Sequence, residues 1–303
     1  MKFCIQLAPL DRYLGIDETF AYLHEVGVDQ VDFSFARWIS NAQILSGEHA
    51  MIDEPLEVMY KELEPYITAS KKYGVAFGQT HAPFPCWLPD YDLLERMTEV
   101  TKKVIALTAY LDCHYCVVHP LHPTKASQRL APKDEWELNK KYYTDLIPTL
   151  KKYNVICCTE NMFHANDDRM YMASACSEFD VAARWVDELN EIAGEELFGF
   201  CFDVGHVNVI RGNMYHAIVT MGKRIKVLHV HDNMGVTDQH FGPYMGNVNW
   251  EDFIRGMRDI GYEGDLSFET FRVLFVFPKE LAKSCVKLLA DTGHHLIRRI
   301  EEQ

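Results

Sequence analysis

The sequence has no uninterrupted apolar run near the ~18 residues that a membrane-crossing helix needs, so no span is expected. It has no Ser-, Gly- or Pro-rich linker and no low-complexity tract, which favours one domain over residues 1–303 rather than two. It is short of bases, with 30 Lys and Arg against 44 Asp and Glu and a net charge of −14. A protein that grips a nucleic-acid backbone gains affinity by neutralising phosphates. No basic cluster offsets the deficit here, because Arg298-Arg299 sits beside Glu301 and Glu302. Small polar substrates are therefore expected, and nucleic acid is not. A disulfide frame is also missing. The nine cysteines are odd in number, and Cys4, Cys157, Cys158 and Cys201 fall inside core strands, as reduced thiols in a cytoplasmic protein would. Cys113 and Cys116 form a single C-x-x-C pair, too little for a zinc or redox site. The N-terminus runs straight into a strand with Asp11 and Arg12 behind it, so a secretory signal is not expected.

What is present is alternation. Short β-rich runs read as strands over Lys2–Leu7, Gln30–Phe35, Val75–Thr80, Tyr115–His119, Val155–Glu160, Gly199–Asp203, Ile225–His229 and Leu266–Glu269. Between them, residues of helical period predict helices over Thr19–Val26, Leu56–Tyr73, Tyr91–Leu111, Asp134–Tyr153, Glu178–Ile192, Trp250–Ile260 and Lys279–Ile300, with a weaker pattern at Met214–Met221. Gly74, Asn154 and Gly261 stand where left-handed caps end such helices. Strand and helix in turn from end to end predict an α/β fold, a (β/α)8 TIM barrel in a single domain. The stretches Ser34–Glu54, His81–Asp90, Leu121–Lys133 and Met162–Ser177 read as long loops after strands, on the face where such barrels bind substrate.

The apolar runs end in metal-binding residue types. Glu160, Asp203, His229 and Glu269 each close one, and His81 and His119 follow two others. Three carboxylates and an imidazole brought to one strand-end pocket suit Mn²⁺, Mg²⁺, Co²⁺ or Zn²⁺, and without a cation the acids would repel one another. His206 follows Asp203 in D-V-G-H, on the turn beyond the strand, as a substrate contact or a further ligand. His229 and His231 face the same way by period 2, with His231 placed to orient a carboxylate and Asp232 and Asn233 to serve a turn. Asp238 and His240, with His81 and His119, either complete a second metal cluster or line the pocket. Trp38, Phe84 and Trp87 lie on strand-end loops, as a cover for a sugar's apolar face or as packing.

The phrases THAPF, VVHP, TEN, FDVGHVN, HVHDN, DQH with GNVNW behind it, and SFET occur in this order along nearly the whole chain. In this the sequence resembles the xylose isomerase-like TIM-barrel superfamily, which holds sugar isomerases and epimerases, inosose dehydratase-like enzymes and endonuclease IV-type nucleases. The resemblance to the ketose 3-epimerases implies one divalent metal on Glu160, Asp203, His229 and Glu269, a substrate-contacting His206, and proton transfer by Glu160 and Glu269 from opposite faces of a metal-bound enediolate. No organic cofactor is expected, and since members are often dimers or tetramers the resemblance admits a homo-oligomer, though no periodicity in the sequence marks an interface. The epimerases carry a substrate-binding Arg shortly after the metal His, where this chain has Asn233-Met234-Gly235-Val236. The nuclease pattern implies three metals on His81, His119, Glu160, Asp203, His206, His229, Asp238, His240 and Glu269. The strand-end residues and the resemblance together predict a metal-dependent sugar or polyol isomerase or epimerase. The alternatives are a trinuclear phosphodiesterase and a catalytically idle sugar-binding barrel.

Overall fold

The computed structural model describes residues 1–84, 91–122, 129–166, 168 and 170–302. Ten strands are described: β1 (Phe3–Gln6), β2 (Gln30–Ser34), β3 (Ala76–His81), β4 (Tyr115–Val117), β5 (Ile156–Glu160), β6 (Phe163–Ala165), β7 (Tyr171–Ala173), β8 (Phe198–Asp203), β9 (Ile225–His229) and β10 (Leu266–Phe268). The helices are α1 (Leu10–Leu14), α2 (Ile16–Glu25), α3 (Asn41–Ser46), α4 (Leu56–Tyr73), α5 (Tyr91–Tyr110), α6 (Pro132–Tyr153), α7 (Phe179–Ala193), α8 (Val204–Val209), α9 (Met214–Met221), α10 (Trp250–Asp259), α11 (Phe271–Val276) and α12 (Ala282–Glu301). Eight strands share one sheet in the order β10-β1-β2-β3-β4-β5-β8-β9, and β6 with β7 forms a separate hairpin. This is the (β/α)8 TIM-barrel fold.

All eight expected strands are present, with ends shifted by a residue or two. The caps explain the helix ends. Asn154 (φ 53°) closes α6 in the left-handed conformation, and Gly74 (φ 72°) follows α4 in the same way. The weak Met214–Met221 pattern is a helix because Asn213 accepts the His216 N–H and supplies its N-cap. Two stretches read as loops carry structure of their own. Ser40 and Gln43 form a capping box that starts α3 within the loop after β2. The β6–β7 hairpin lies in the stretch after β5, where Asn166 Oδ1 accepts the Met170 N–H at 2.8 Å. Much of the His81–Asp90 and Leu121–Lys133 stretches, Trp87 and Lys125 included, lies outside the described residues.

The chain divides into two compact units. The first comprises Met1–Phe33, Pro65–Gly78 and Cys201–Gln303, and the second Ser34–Glu64 and Gln79–Phe200. In the first, β1 pairs in parallel with β10 (Ile5 opposite Phe268) and with β2 (Gln6 opposite Asp32). The Phe3 and Phe268 rings meet edge to face at 5.0 Å. Helix α12 closes on this pair through Gly293, where a Cβ would lie 2.2 Å from Phe3 Cε2. In the second, β4 pairs in parallel with β3 and β5, so Cys116 faces Thr80 and Cys157. Tyr143 is buried there and packs edge to face on Phe198 at 6.0 Å. Cys4, Cys157, Cys158 and Cys201 are buried thiols, as the strand positions implied. Among the described residues no helix is long and apolar enough to cross a membrane.

Phe3 is fully buried, and its removal leaves a cavity that Gly293 cannot fill. The Phe3→Ala variant is expected to lose about 3–5 kcal/mol of stability in urea unfolding; a loss below ~1 kcal/mol would contradict this packing.

Candidate metal centre

In the first unit the ends of β8, β9 and β10 bring acids and imidazoles together. Asp203 ends β8 and at once caps α8: its Oδ1 accepts the backbone N–H of His206 at 2.6 Å. This explains the D-V-G-H spacing. A helix N-cap is bonded by the residue three positions on, so His206 lies in the first turn of α8 rather than on an open turn. His229 ends β9, and its Nδ1 is 3.9 Å from Asp203 Oδ2 and 3.7 Å from Glu269 Oε2. Glu269 directly follows β10. Ligands about 2.1 Å from a shared ion stand roughly 3–3.5 Å from each other, so a modest contraction would seat a cation among these three.

Around this trio lies a second ring of groups. His231 Nε2 is 3.1 Å from Asp203 Oδ2 and holds the carboxylate from the side, the orienting role expected of it. It can do so only because residue 205 is Gly, since a Cβ there would lie 1.9 Å from His231 Cε1. His240 stacks on His231 with centroids 4.1 Å apart, and Phe271 covers its other face at 4.4 Å. His240 Nε2 is 2.7 Å from Asp238 Oδ2, and its Nδ1 is 3.1 Å from the Glu269 carbonyl. His206 Nε2 lies 3.6 Å from Asp238 Oδ2. Two further sets of ligand atoms therefore gather within 4.8 Å of one another: Asp203 with His206 and His231, and His231 with His240 and Glu269.

Asp232 holds the loop that carries Asp238 and His240. Its carboxylate accepts from Asn233 N (2.8 Å), Val248 N (3.1 Å) and Trp250 Nε1 (3.1 Å), and its backbone pairs with Phe241. Asn233, at the place of the epimerase Arg segment, is committed to structure: its Nδ2 donates to the Gly205 carbonyl and its Oδ1 accepts from Asn208 and Gly235.

In the second unit the ends of β3, β4 and β5 bring two imidazoles to one carboxylate. His119 Nε2 is 3.1 Å from Glu160 Oε2, and His81 Nε2 is 3.7 Å from the same oxygen. The two Nε2 atoms are 3.1 Å apart, and His81 Nδ1 lies 2.7 Å from the Ala82 carbonyl. A carbonyl only accepts, so it selects the Nδ1–H tautomer and leaves a lone pair on His81 Nε2. Behind Glu160, Tyr143 Oη meets Thr159 Oγ1 at 2.8 Å. Burial pushes the Cys176 thiol up to about 12, so no thiolate competes there. Phe84 is exposed and stacks on His119 at 4.8 Å, as a wall for the site would, whereas Trp38 packs on Phe35.

The donor set fits a divalent cation. Carboxylates with imidazoles suit Mn²⁺, Zn²⁺, Mg²⁺ or Co²⁺, and Asp238 Oδ1 and His231 Nδ1 are buried without a hydrogen-bond partner. Asp32, buried on β2 with Oδ2 3.4 Å from His229 Nε2, is not among the residues that the strand-end pattern singles out. The signal was the same acid within an apolar run, masked because Phe33 and Phe35 carry the run past it.

The xylose isomerase-like TIM barrel family matches residues 20–292. The chain belongs to this family. Among its relatives is the uncharacterized protein y4fM of Sinorhizobium fredii, 31% identical over 75 residues, or 25% of this chain and 24% of y4fM. The chain matches only about a quarter to a third of the length of such curated relatives, 24% and 33% for two of them. The IOLI protein, solved with a zinc atom bound, superposes with a TM-score of 0.70 at 15% identity over 100% of both chains. The 3-keto-D-glucoside 4-epimerase YcjR from E. coli superposes at 0.67 and 13% identity, over 95% of this chain and 98% of that one. At such identities the likeness establishes the fold, and the chain's structural neighbours include sugar epimerases.

Two measurements follow from this geometry. Burial works to lower the His240 pKa, but the Glu269 carboxylate and the Asp238 hydrogen bond outweigh it and raise it from 6.5 to about 9. Burial likewise opposes the Asp238 charge, yet the His206 and His240 imidazoles hold its pKa well below 3.8. A raised histidine stabilises fully below its unfolded pKa and loses that contribution as pH rises through the folded one. In chelator, urea resistance should therefore fall between pH 6.5 and 9, and His240→Gln should flatten the decline; an unchanged slope in the variant would refute the assignment. Gly205→Ala should displace His231 and cost about 1–3 kcal/mol in the same assay, and a neutral effect would show that the ring is not held there.

Proposed function

We propose that the protein is a divalent-metal-dependent isomerase or epimerase of a small sugar or polyol, acting in the cytoplasm. The observation that carries this reading is the buried approach of His229 Nδ1 to Asp203 and Glu269, at 3.9 and 3.7 Å. Asp203, His229 and Glu269 would hold the cation. The strand-end pattern adds Glu160, which closes β5 as Asp203 closes β8. A cation of this kind, when bound, acidifies the C–H beside a carbonyl by drawing charge onto oxygen.

The protein's own groups do the rest. Glu160 and Glu269 exchange the proton as base and acid. His206, at the head of α8, holds substrate oxygens. His81, His119, Asp238 and His240 bind substrate or a second cation, and Phe84 offers an apolar face to a sugar ring and keeps water out. The zinc of the IOLI protein and the activity of the 3-keto-glucoside epimerase support this choice. A second reading, a trinuclear phosphodiesterase, is kept because the first unit gathers two further ligand sets. The acidic net charge of −14 weighs against it.

Metal analysis of protein purified without chelator, followed by a panel of ketoses, aldoses and inososes with and without EDTA, tests the proposal. The expected outcome is an EDTA-sensitive interconversion, with kcat lowered at least ~100-fold by Glu160→Gln or Glu269→Gln in folded protein. Full turnover in either variant would remove that residue from proton transfer. Three metals per chain with cleavage of an abasic duplex would favour the phosphodiesterase.

A further inference from the structure

Asp32 lies on β2 opposite Gln6 and is 2% exposed. Alternation along the strand sets it on the face opposite Val31 and Phe33. A carboxylate in a sheet interior is costly unless it serves another group. Its Oδ2 is 3.4 Å from Nε2 of His229, while Nδ1 on the other side of that ring faces Asp203 Oδ2 and Glu269 Oε2. We infer that Asp32 is the positioning residue of the cation site, fixing the His229 tautomer that carries its proton on Nε2 and turns the Nδ1 lone pair toward Asp203 and Glu269.

Two tautomers of His229 compete. A neutral imidazole has one N–H, and an ionised carboxylate only accepts. His229 is fully buried with carboxylates on both sides of its ring. If Asp203 and Glu269 were its only acidic neighbours, the proton would settle on Nδ1, between them, and would occupy the space a cation needs. Asp32 offers the other nitrogen an acceptor. It thereby frees Nδ1 and makes the imidazole a better donor, as carboxylates behind metal-bound histidines do. Leu or Val at position 32 would pack the sheet equally well but would leave the choice of tautomer open.

This inference rests on the cation reading above, and the experiment separates the two. Cobalt(II) is titrated into chelator-stripped wild-type protein, Asp32→Asn and Asp32→Leu, followed by absorption, with far-UV circular dichroism to check folding. The wild type is expected to bind with a resolved ligand-field spectrum. Asp32→Asn should bind about 10-fold more weakly and Asp32→Leu up to about 100-fold more weakly. Nitrogen-15 spectra of the zinc-loaded wild type need no variant and should show the His229 proton on Nε2 and the metal on Nδ1. Equal cobalt affinity in folded Asp32→Asn and Asp32→Leu, or zinc on Nε2, overturns the role of Asp32 while leaving the cation site standing. A wild type that binds no cobalt overturns both.

Discussion

The carboxylate of Asp203 is fully buried, and a buried carboxylate is tolerable only when donors and positive charge surround it. Much of the first unit is arranged to supply them. The N-terminus of α8 presents the His206 N–H, and His231, two residues beyond the end of β9, reaches the other oxygen. Gly205 gives up its side chain so that the His231 ring fits. A single acid thus starts a helix, anchors an imidazole and faces His229. Those demands leave little freedom in its position, which is what a metal ligand needs.

The same economy appears in the loop after β9. Asp232 is spent on holding backbone, so Asp238 and His240 can be brought back over the site by a segment without helix or strand. His240 pays for its position with a left-handed backbone (φ 48°), a strain of order 1 kcal/mol or more, offset by its contacts with Asp238, the Glu269 carbonyl, His231 and Phe271. Histidines in the first unit therefore divide by neighbour: His229 turns a nitrogen to the acids that would share a cation, while His231 and His240 steady those acids. In the second unit, His81 and His119 converge on the one oxygen of Glu160.

Much of this was legible in the sequence, and for a local reason. A parallel strand buried on both faces is an apolar run, and the first residue able to leave it at the C-terminal end is polar when a site is there. Glu160, Asp203, His229 and Glu269 all carry that signature. Asp32 does not, because its strand continues into Phe33 and Phe35. Helix α3 and the β6–β7 hairpin were read as loops because each is too short for hydrophobic period to register, and each depends on one capping or turn residue, Ser40 or Asn166.

By itself the sequence determined the alternation of strands and helices, the inventory of candidate ligands and their order, because periodicity and strand-end chemistry are properties of neighbours along the chain. Only the tertiary structure decided that the carboxylate His231 steadies is that of Asp203, that Asp232 ties its turn to Val248 and Trp250, and that Asp32 and Asp203 face opposite nitrogens of one imidazole. Those facts depend on the direction and rotation of side chains from strands distant in sequence, and such angles are set by packing.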